Sequence, residues 1–547
     1  MFEKTVGTVI VTSQIKTQQF DYIVVGGGSA GSIVAARLAE EGAGSVLLLE
    51  CGDAGDKHPE TLTEDGFKYA FSNDDLMFHR MSTAQDGCGG RKMFLGTGRG
   101  MGGSGAVNGM VYTRGDKRDF ERWPKGWHYE DLVPHFEAVE KRIGIRPRAP
   151  TPFAQRFLDA SVSAGFTRKD GMNDGELGGV VGCNDMNYDE SGRRSSYRAW
   201  LHERRVPNLQ IVTNAMVRRL VFGDNQRATG VECEIEGQVR TFDVSKEVVL
   251  CAGALETPKI LMLSGVGPRR EIEAQRIRLV KDIAGVGQHL HDHPNVCVFY
   301  RAQQPVDFSY PQLYGFDAAR RSSHAETNEA PDTCFVCFAA PGTLHQSMHR
   351  MVPLIALPGP LYKLGFMRSF YRVLIDLAFK LPWLQRYVST VFGIVVILGK
   401  PDSRGSIGLT SADPAAPARI DPAYFKSPRD RETLLAGIAK ARHIAEQPAL
   451  AQAGAKPLSL GGTNASEEKI WKWATAAAMT TFHFCGSCRM GDDVASPVDT
   501  KLRVKGLRNV RVADASVMPE IPVSALNAPS MMIGYRAANF ILEGTQS

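Results

Sequence analysis

Apolar and polar positions alternate along this chain with two different periods. Residues 21–25 (DYIVV) form a short β-branched and aromatic run that predicts a strand. A glycine cluster follows, and apolar residues then return at helical spacing over 33–38. Residues 45–49 (SVLLL) predict a second strand, which ends at Glu50. Later apolar runs at 231–235, 248–251 and 404–409 predict further strands. Near the C-terminus, residues 531–542 predict a helix, with Asn527 as N-cap and Pro529 in its first turn.

One stretch breaks this rhythm. Residues 361–387 carry many large apolar side chains together with Lys363, Arg368, Arg372, Lys380 and Arg386, against a lone Asp376. Arg368, Arg372 and Asp376 recur every four residues and make a narrow polar stripe, while Phe366, Met367, Phe370, Tyr371, Leu374, Ile375 and Leu377 cover the rest of the helix. Three readings stay open: an interfacial helix on a membrane, a hydrophobic lid over a channel for an alkyl substrate, or a helix buried in a core. Pro382 is expected to end or kink the element. The longest uninterrupted apolar run, 388–398, is too short to span a bilayer.

Composition narrows the function classes. The chain has 547 residues, 43% hydrophobic and 22% charged, as in ordinary globular proteins. Net charge is +5 with scattered basic residues, which argues against a nucleic-acid partner. Ten cysteines are too few for a disulfide scaffold and point to a reducing compartment. The first twenty residues show neither an apolar core nor a small-residue cleavage site. The expectation is a cytoplasmic location, with peripheral contact to the inner membrane face as an option.

The glycine cluster between the first strand and helix reads G-x-G-x-x-G at Gly26, Gly28 and Gly31. A sharp turn needs the first glycine, approach of a pyrophosphate the second, and close helix–strand packing the third. The helix N-terminus offers free amides to phosphate, and Glu50 is placed to accept hydrogen bonds from a ribose. The motif predicts a dinucleotide site without separating FAD from NAD.

Further glycine-rich and histidine-rich segments follow in order: GRGMGGSGAVNGM at 98–110, GALETPKILMLSGVGP at 253–268, GVGQHLHDH at 285–293, HFCGSCRMG at 483–491, and VADAS at 512–516 leading to NAPS at 527–530. Together with the cradle they resemble the glucose–methanol–choline family of flavoproteins over residues 20–543, most thinly between 300 and 400. Among its subfamilies the motifs look most like bacterial choline-dehydrogenase-like and aliphatic alcohol dehydrogenases.

The resemblance implies an α/β chain with a Rossmann-like FAD-binding domain from 20–120, 196–296 and 484–547. That domain is interleaved with an α+β substrate domain on an antiparallel sheet, from 121–195 and 297–483, in which 404–409 would be a strand. It implies that Gly102, Gly103, Ser104 and Asn108 wrap the flavin, that Val217 meets the adenine through its backbone, and that Asp514 and Ala528 also hold the cofactor. Val107 stands where some relatives carry a flavin-linking histidine, so FAD is expected to be non-covalent. The resemblance also makes His483 the catalytic base and Asn527 the group that orients the substrate oxygen, chemistry for which a histidine pKa is suited.

No metal is expected. His289, His291 and His293 alternate, but the resemblance places them beside the cofactor without one. The pairs Cys334/Cys337 and Cys485/Cys488 are read as buried thiols, with Cys485 near the pocket. The expected reaction is oxidation of a primary alcohol, of medium or long aliphatic chain, to the aldehyde. Choline oxidation is the alternative, and an oxygen-using oxidase is equally open; the acceptor, whether quinone, redox protein or oxygen, is undetermined. From another class, a flavin-binding protein without turnover is the remaining reading.

Overall fold

The computed structural model describes residues 18–319, 330–341, 343–357, 359–362 and 364–546. The readings made on residues 1–17 and on Lys363 lie outside these.

Strand Gln19–Val25 stands in the middle of a seven-stranded sheet. Val46–Leu49 and then Leu209–Val212 extend it on one side, all parallel. On the other side lies Gln238–Leu250, thirteen residues long. Its first half pairs antiparallel with Ala228–Ile235, which pairs in turn with Ala215–Phe222, and its last three residues pair in parallel with Val510–Val512. The inner strands are covered on both faces, which is why they read as nearly continuous apolar runs.

Helix α1, Gly31–Glu40, packs on this sheet, and all its residues but the last are buried. The contact with the C-terminal helix is close: a Cβ on Gly534 would lie 2.7 Å from the Ala30 carbonyl oxygen.

A second, eight-stranded sheet carries Pro294–Arg301, Val391–Leu398, Thr333–Ala339, Leu313–Asp317 and Val180–Cys183 as successive antiparallel neighbours. Helix Pro428–Glu446 covers it, and Gly437 allows the approach, since a Cβ there would meet Val396 Cγ1 at 2.7 Å. The apolar run at 388–398 therefore includes a central strand. The strand expected at 404–409 forms over Gly405–Gly408, but in a separate three-stranded sheet with Gln288–Leu290 and Arg419–Asp421. A local apolar run specifies a strand without specifying its partners.

Three helices lie outside the second sheet: α2, Leu344–Ala356; α3, Gly365–Phe379; and α4, Pro382–Ser389. The polar stripe of α3 faces inward. Arg368 pairs with Asp74, Arg372 donates to the Ser72 carbonyl at 2.7 Å, and Asp376 accepts from His345 and His349 of α2. The apolar side faces out, with Phe366 69%, Phe370 57% and Trp383 66% exposed. The buried-helix reading is thus corrected: only Ile375 of α3 is buried. The helical stretch breaks before Pro382, as expected, and Pro382 begins α4 in its first turn.

The last helix, α5, runs Asn527–Gln546. Asn527 is its first residue and not its cap, because the Asn527 side chain is engaged elsewhere. Among the described residues, no helix is long and apolar enough to cross a membrane.

Candidate active site and cofactor cradle

Two glycine loops meet back to back. Gly26 takes a φ of +102°, and a Cβ on Gly31 would fall 1.9 Å from the Gly26 oxygen. The second loop binds the first through Gly102 N donating to the Gly27 carbonyl at 2.7 Å. Gly102 and Gly103 have φ of +91° and +51°, and a Cβ on Gly103 would sit 2.9 Å from Gly28 Cα. A Cβ on Gly28 would find nothing nearer than 3.9 Å, so the turn leaves room beside the backbone where phosphates pack.

Glu50 holds both loops. Its Oε2 accepts from Gly27 N at 2.8 Å, and its Oε1 from Gly52 N at 2.9 Å and Gly100 N at 3.1 Å. Each carboxylate oxygen has two lone pairs, so Oε2 keeps one for a ribose hydroxyl. Asp514 does similar work: it accepts from Gly253 N, Thr257 Oγ1 and Ser516 N, and so pins the start of helix Gly253–Leu263. Burial raises its carboxyl above the ordinary range.

Ser104 starts a one-turn helix and accepts from Gly98 N. Asn108 Oδ1 accepts from Met110 N and from Arg193. Val217 lies at a register irregularity between strands Ala215–Phe222 and Ala228–Ile235, where a bulge leaves backbone groups outside the ladder. Ala528 is buried in the first turn of α5.

Arg193 is a residue that the sequence reading missed. It is fully buried and donates to Asn108 Oδ1, the Asn108 carbonyl and the Gly105 carbonyl, and among the described residues no carboxylate pairs with it. Burial pushes its pKa down to about 9. An arginine in a run of arginines carries no sequence signal of burial.

Among the hydrogen bonds of the described residues, none joins Asn527 to His483. Asn527 Oδ1 accepts from Ser29 Oγ at 2.7 Å and lies 3.2 Å from where a Gly105 Cβ would stand. Its Nδ2 is buried without a partner, a free donor. His483 Nδ1 lies 2.9 Å from His293 Nδ1, and its backbone N–H donates to Asp292 Oδ1 at 2.8 Å. Burial lowers the His483 pKa to about 4, and burial with the neighbouring His483 lowers that of His293 well below its ordinary value. Both rings are therefore neutral near pH 7, and one Nδ1–H serves the pair.

Asp292 supports this arrangement from beneath. Its Oδ2 accepts from Thr480 Oγ1 at 2.5 Å and from Tyr424 Oη. Burial raises its pKa to about 6 against these bonds. Phe482 adopts a φ of +63°, a rare conformation for a bulky residue that tends to occur at functional sites. Its ring touches those of Phe71 and Phe94, and Phe94 contacts His79, which stacks on Tyr362 beside α3. A continuous run of rings thus leads from the residue before His483 to the outer helices. Cys485 is buried and bridged through its backbone to His291.

A glycine cradle with room beside Gly28, a carboxylate with a spare lone pair, and the orphaned donor of Asn527 fit a flavin dinucleotide and define an oxidoreductase site. Residues 20–295 match the N-terminal model, and residues 401–534 the C-terminal model, of the GMC oxidoreductase family. The chain belongs to this family. It is 31% identical over 555 residues to the oxygen-dependent choline dehydrogenase of Vibrio vulnificus, covering 96% of this chain and 94% of that one. The enzyme of the same name from Paraburkholderia xenovorans is 31% identical over 546 residues, with the same coverage. Among solved structures, pyridoxine 4-oxidase from Mesorbium loti superposes with a TM-score of 0.81 at 28% identity, over 95% of this chain and 98% of that one. A formate oxidase shares the fold, with a TM-score of 0.81 at 23% identity over 96% and 99% of the two chains. The protein is an FAD-dependent oxidoreductase acting on CH–OH donors.

Proposed function

We propose that this enzyme oxidises a primary aliphatic alcohol of medium or long chain to the aldehyde, with His483 as base. The observation that carries the reading is the Nδ1–Nδ1 hydrogen bond between His293 and His483. With the shared proton on His483 Nδ1, the lone pair of His483 Nε2 is free to accept a hydroxyl proton. Asn527 Nδ2 is a free donor for the substrate oxygen. Bound FAD supplies the hydride acceptor. The chain's part is to hold that cofactor with Gly26, Gly28, Gly31, Glu50, Gly102, Gly103, Ser104, Asn108, Val217, Asp514 and Ala528. On this reading the cofactor half is 20–120, 196–296 and 484–547, supported by the strands of the seven-stranded sheet. No histidine occurs between 98 and 110, and Val107 supports non-covalent attachment.

The alkyl preference rests on the aromatic run through Phe482, Phe94 and Phe71. Choline is the second reading, favoured by the names of the relatives. A quaternary ammonium is recognised by aromatic faces or a carboxylate. The carboxylate beside His483, Asp292, is buried among Thr480, Tyr424 and the His483 amide, from all of which it accepts hydrogen bonds. Anaerobic mixing of the holoenzyme with 1-octanol or with choline tests this directly. Loss of the flavin's blue absorption with octanol supports the proposal, and bleaching by choline alone transfers the assignment. Oxygen is the acceptor proposed from the relatives' names, and readmitted air should restore the band if it is correct.

The outer face of α3 and α4 supports docking on an anionic lipid surface. Large apolar side chains, with Trp383 among them, are exposed there beside Lys380 and Arg386.

A further inference from the structure

One cluster of metal-ligating side chains lies outside the site just described. His345 and His349 are four residues apart on α2, so their rings leave the same face of the helix. Asp376 of α3 faces them. Its Oδ1 is 2.8 Å from His345 Nε2 and 2.9 Å from His349 Nε2, and the ligating atoms of all three residues lie within 4.8 Å of one another. The His345 ring is held by stacking on Phe379, with centroids 4.4 Å apart and planes at 20°.

We infer that His345, His349 and Asp376 bind one divalent transition metal ion of the zinc type, which staples α2 to α3. The set of two imidazoles and one carboxylate suits zinc and disfavours magnesium and calcium, which take oxygen ligands. Zinc bonds of about 2.0–2.2 Å to nitrogen and oxygen in a tetrahedral site place ligand atoms roughly 3.3 Å apart. The observed 2.8 and 2.9 Å separations need to open by only a few tenths of an ångström as the two bridging hydrogens leave. The three residues are partly exposed, which leaves a fourth position for water and a path for the ion. Arg372 lies one turn before Asp376, and its guanidinium is turned to the Ser72 carbonyl.

The staple would act on the outer helices. Arg368 to Asp74 and Arg372 to Ser72 fix α3 to segment 72–74, and Arg350 of α2 pairs with the same Asp74. The third point of the α3 stripe is the histidine–aspartate contact, where coordinate bonds would replace two hydrogen bonds.

The test uses chelator-treated holoenzyme titrated with Zn2+ alone, by calorimetry and by metal analysis after dialysis. One zinc per chain is expected, undisturbed by excess Mg2+. His349→Ala and Asp376→Asn should each weaken binding by about tenfold to a hundredfold or more, while flavin absorbance stays as in wild type. Should either variant fail to retain flavin, His345→Gln takes its place, and the histidine–carboxylate signature of bound Co2+ reports on the unaltered chain. No stoichiometric zinc, equal binding by the variants, or displacement by Mg2+ would overturn the inference.

Discussion

On the proposed mechanism, His483 is a base prepared by its neighbour His293. A ring that donates from Nδ1 must accept at Nε2, so with the shared proton on His483 its partner His293 would hold the tautomer that the proposed base needs. His483→Ala should keep FAD yet lose about 100- to 10,000-fold in alcohol-driven flavin reduction; near-normal reduction rates in a stopped-flow trace would remove it from the mechanism. His293→Leu removes only the orienting partner, so its loss should be smaller and fall on kcat more than on KM. His483 and Asn527 were legible because each stands in a motif that resembles a known family. The pairing of His293 was not: the resemblance places it beside the cofactor with His289 and His291, but its partner stands 190 positions away. Arg193 was hidden for the same reason, since burial without a counter-ion is a property of the fold.

The first βαβ unit was legible because its steric demands are local. A Cβ at Gly31 collides with the Gly26 oxygen, so Gly31→Ala should cost about 1–3 kcal/mol and release FAD more readily, as measured by thermal unfolding and flavin retention. Helix α3 teaches the converse. Its amphipathic pattern was plain, yet the pattern cannot say which face is inward. Three polar anchors on Asp74, Ser72 and the α2 histidines turn the apolar side out. Each large apolar side chain left in water forgoes about 1.5–3 kcal/mol, which an anionic bilayer would return. Phe370→Asp with Trp383→Ala should abolish co-flotation with phosphatidylserine vesicles and leave octanol oxidation in detergent unchanged; equal flotation of variant and wild type would refute lipid docking.

Across the whole molecule, partly buried histidines with lowered pKa values set an acid limit. A histidine whose pKa falls on folding stays neutral while the unfolded chain takes up protons, so stability is lost as pH drops from about 6.5 toward the folded value, about 4 for His483 and for His135. His483→Asn should therefore lose less thermal stability between pH 7 and pH 4.5 than wild type does; parallel curves would show that this histidine titrates normally. The acid limb of kcat/KM should likewise lie nearer pH 4 than 6.5. Strand Gln238–Leu250 adds a demand that no equilibrium property reveals. Its last three residues wait for Val510–Val512, more than 250 positions later. While the chain is being synthesised, the last three residues of this strand keep an open parallel edge until Val510–Val512 have emerged. Such an edge invites wrong pairing and slow closure. A ribosome that stalls before residue 510 therefore leaves the end of this central strand without its last parallel partner.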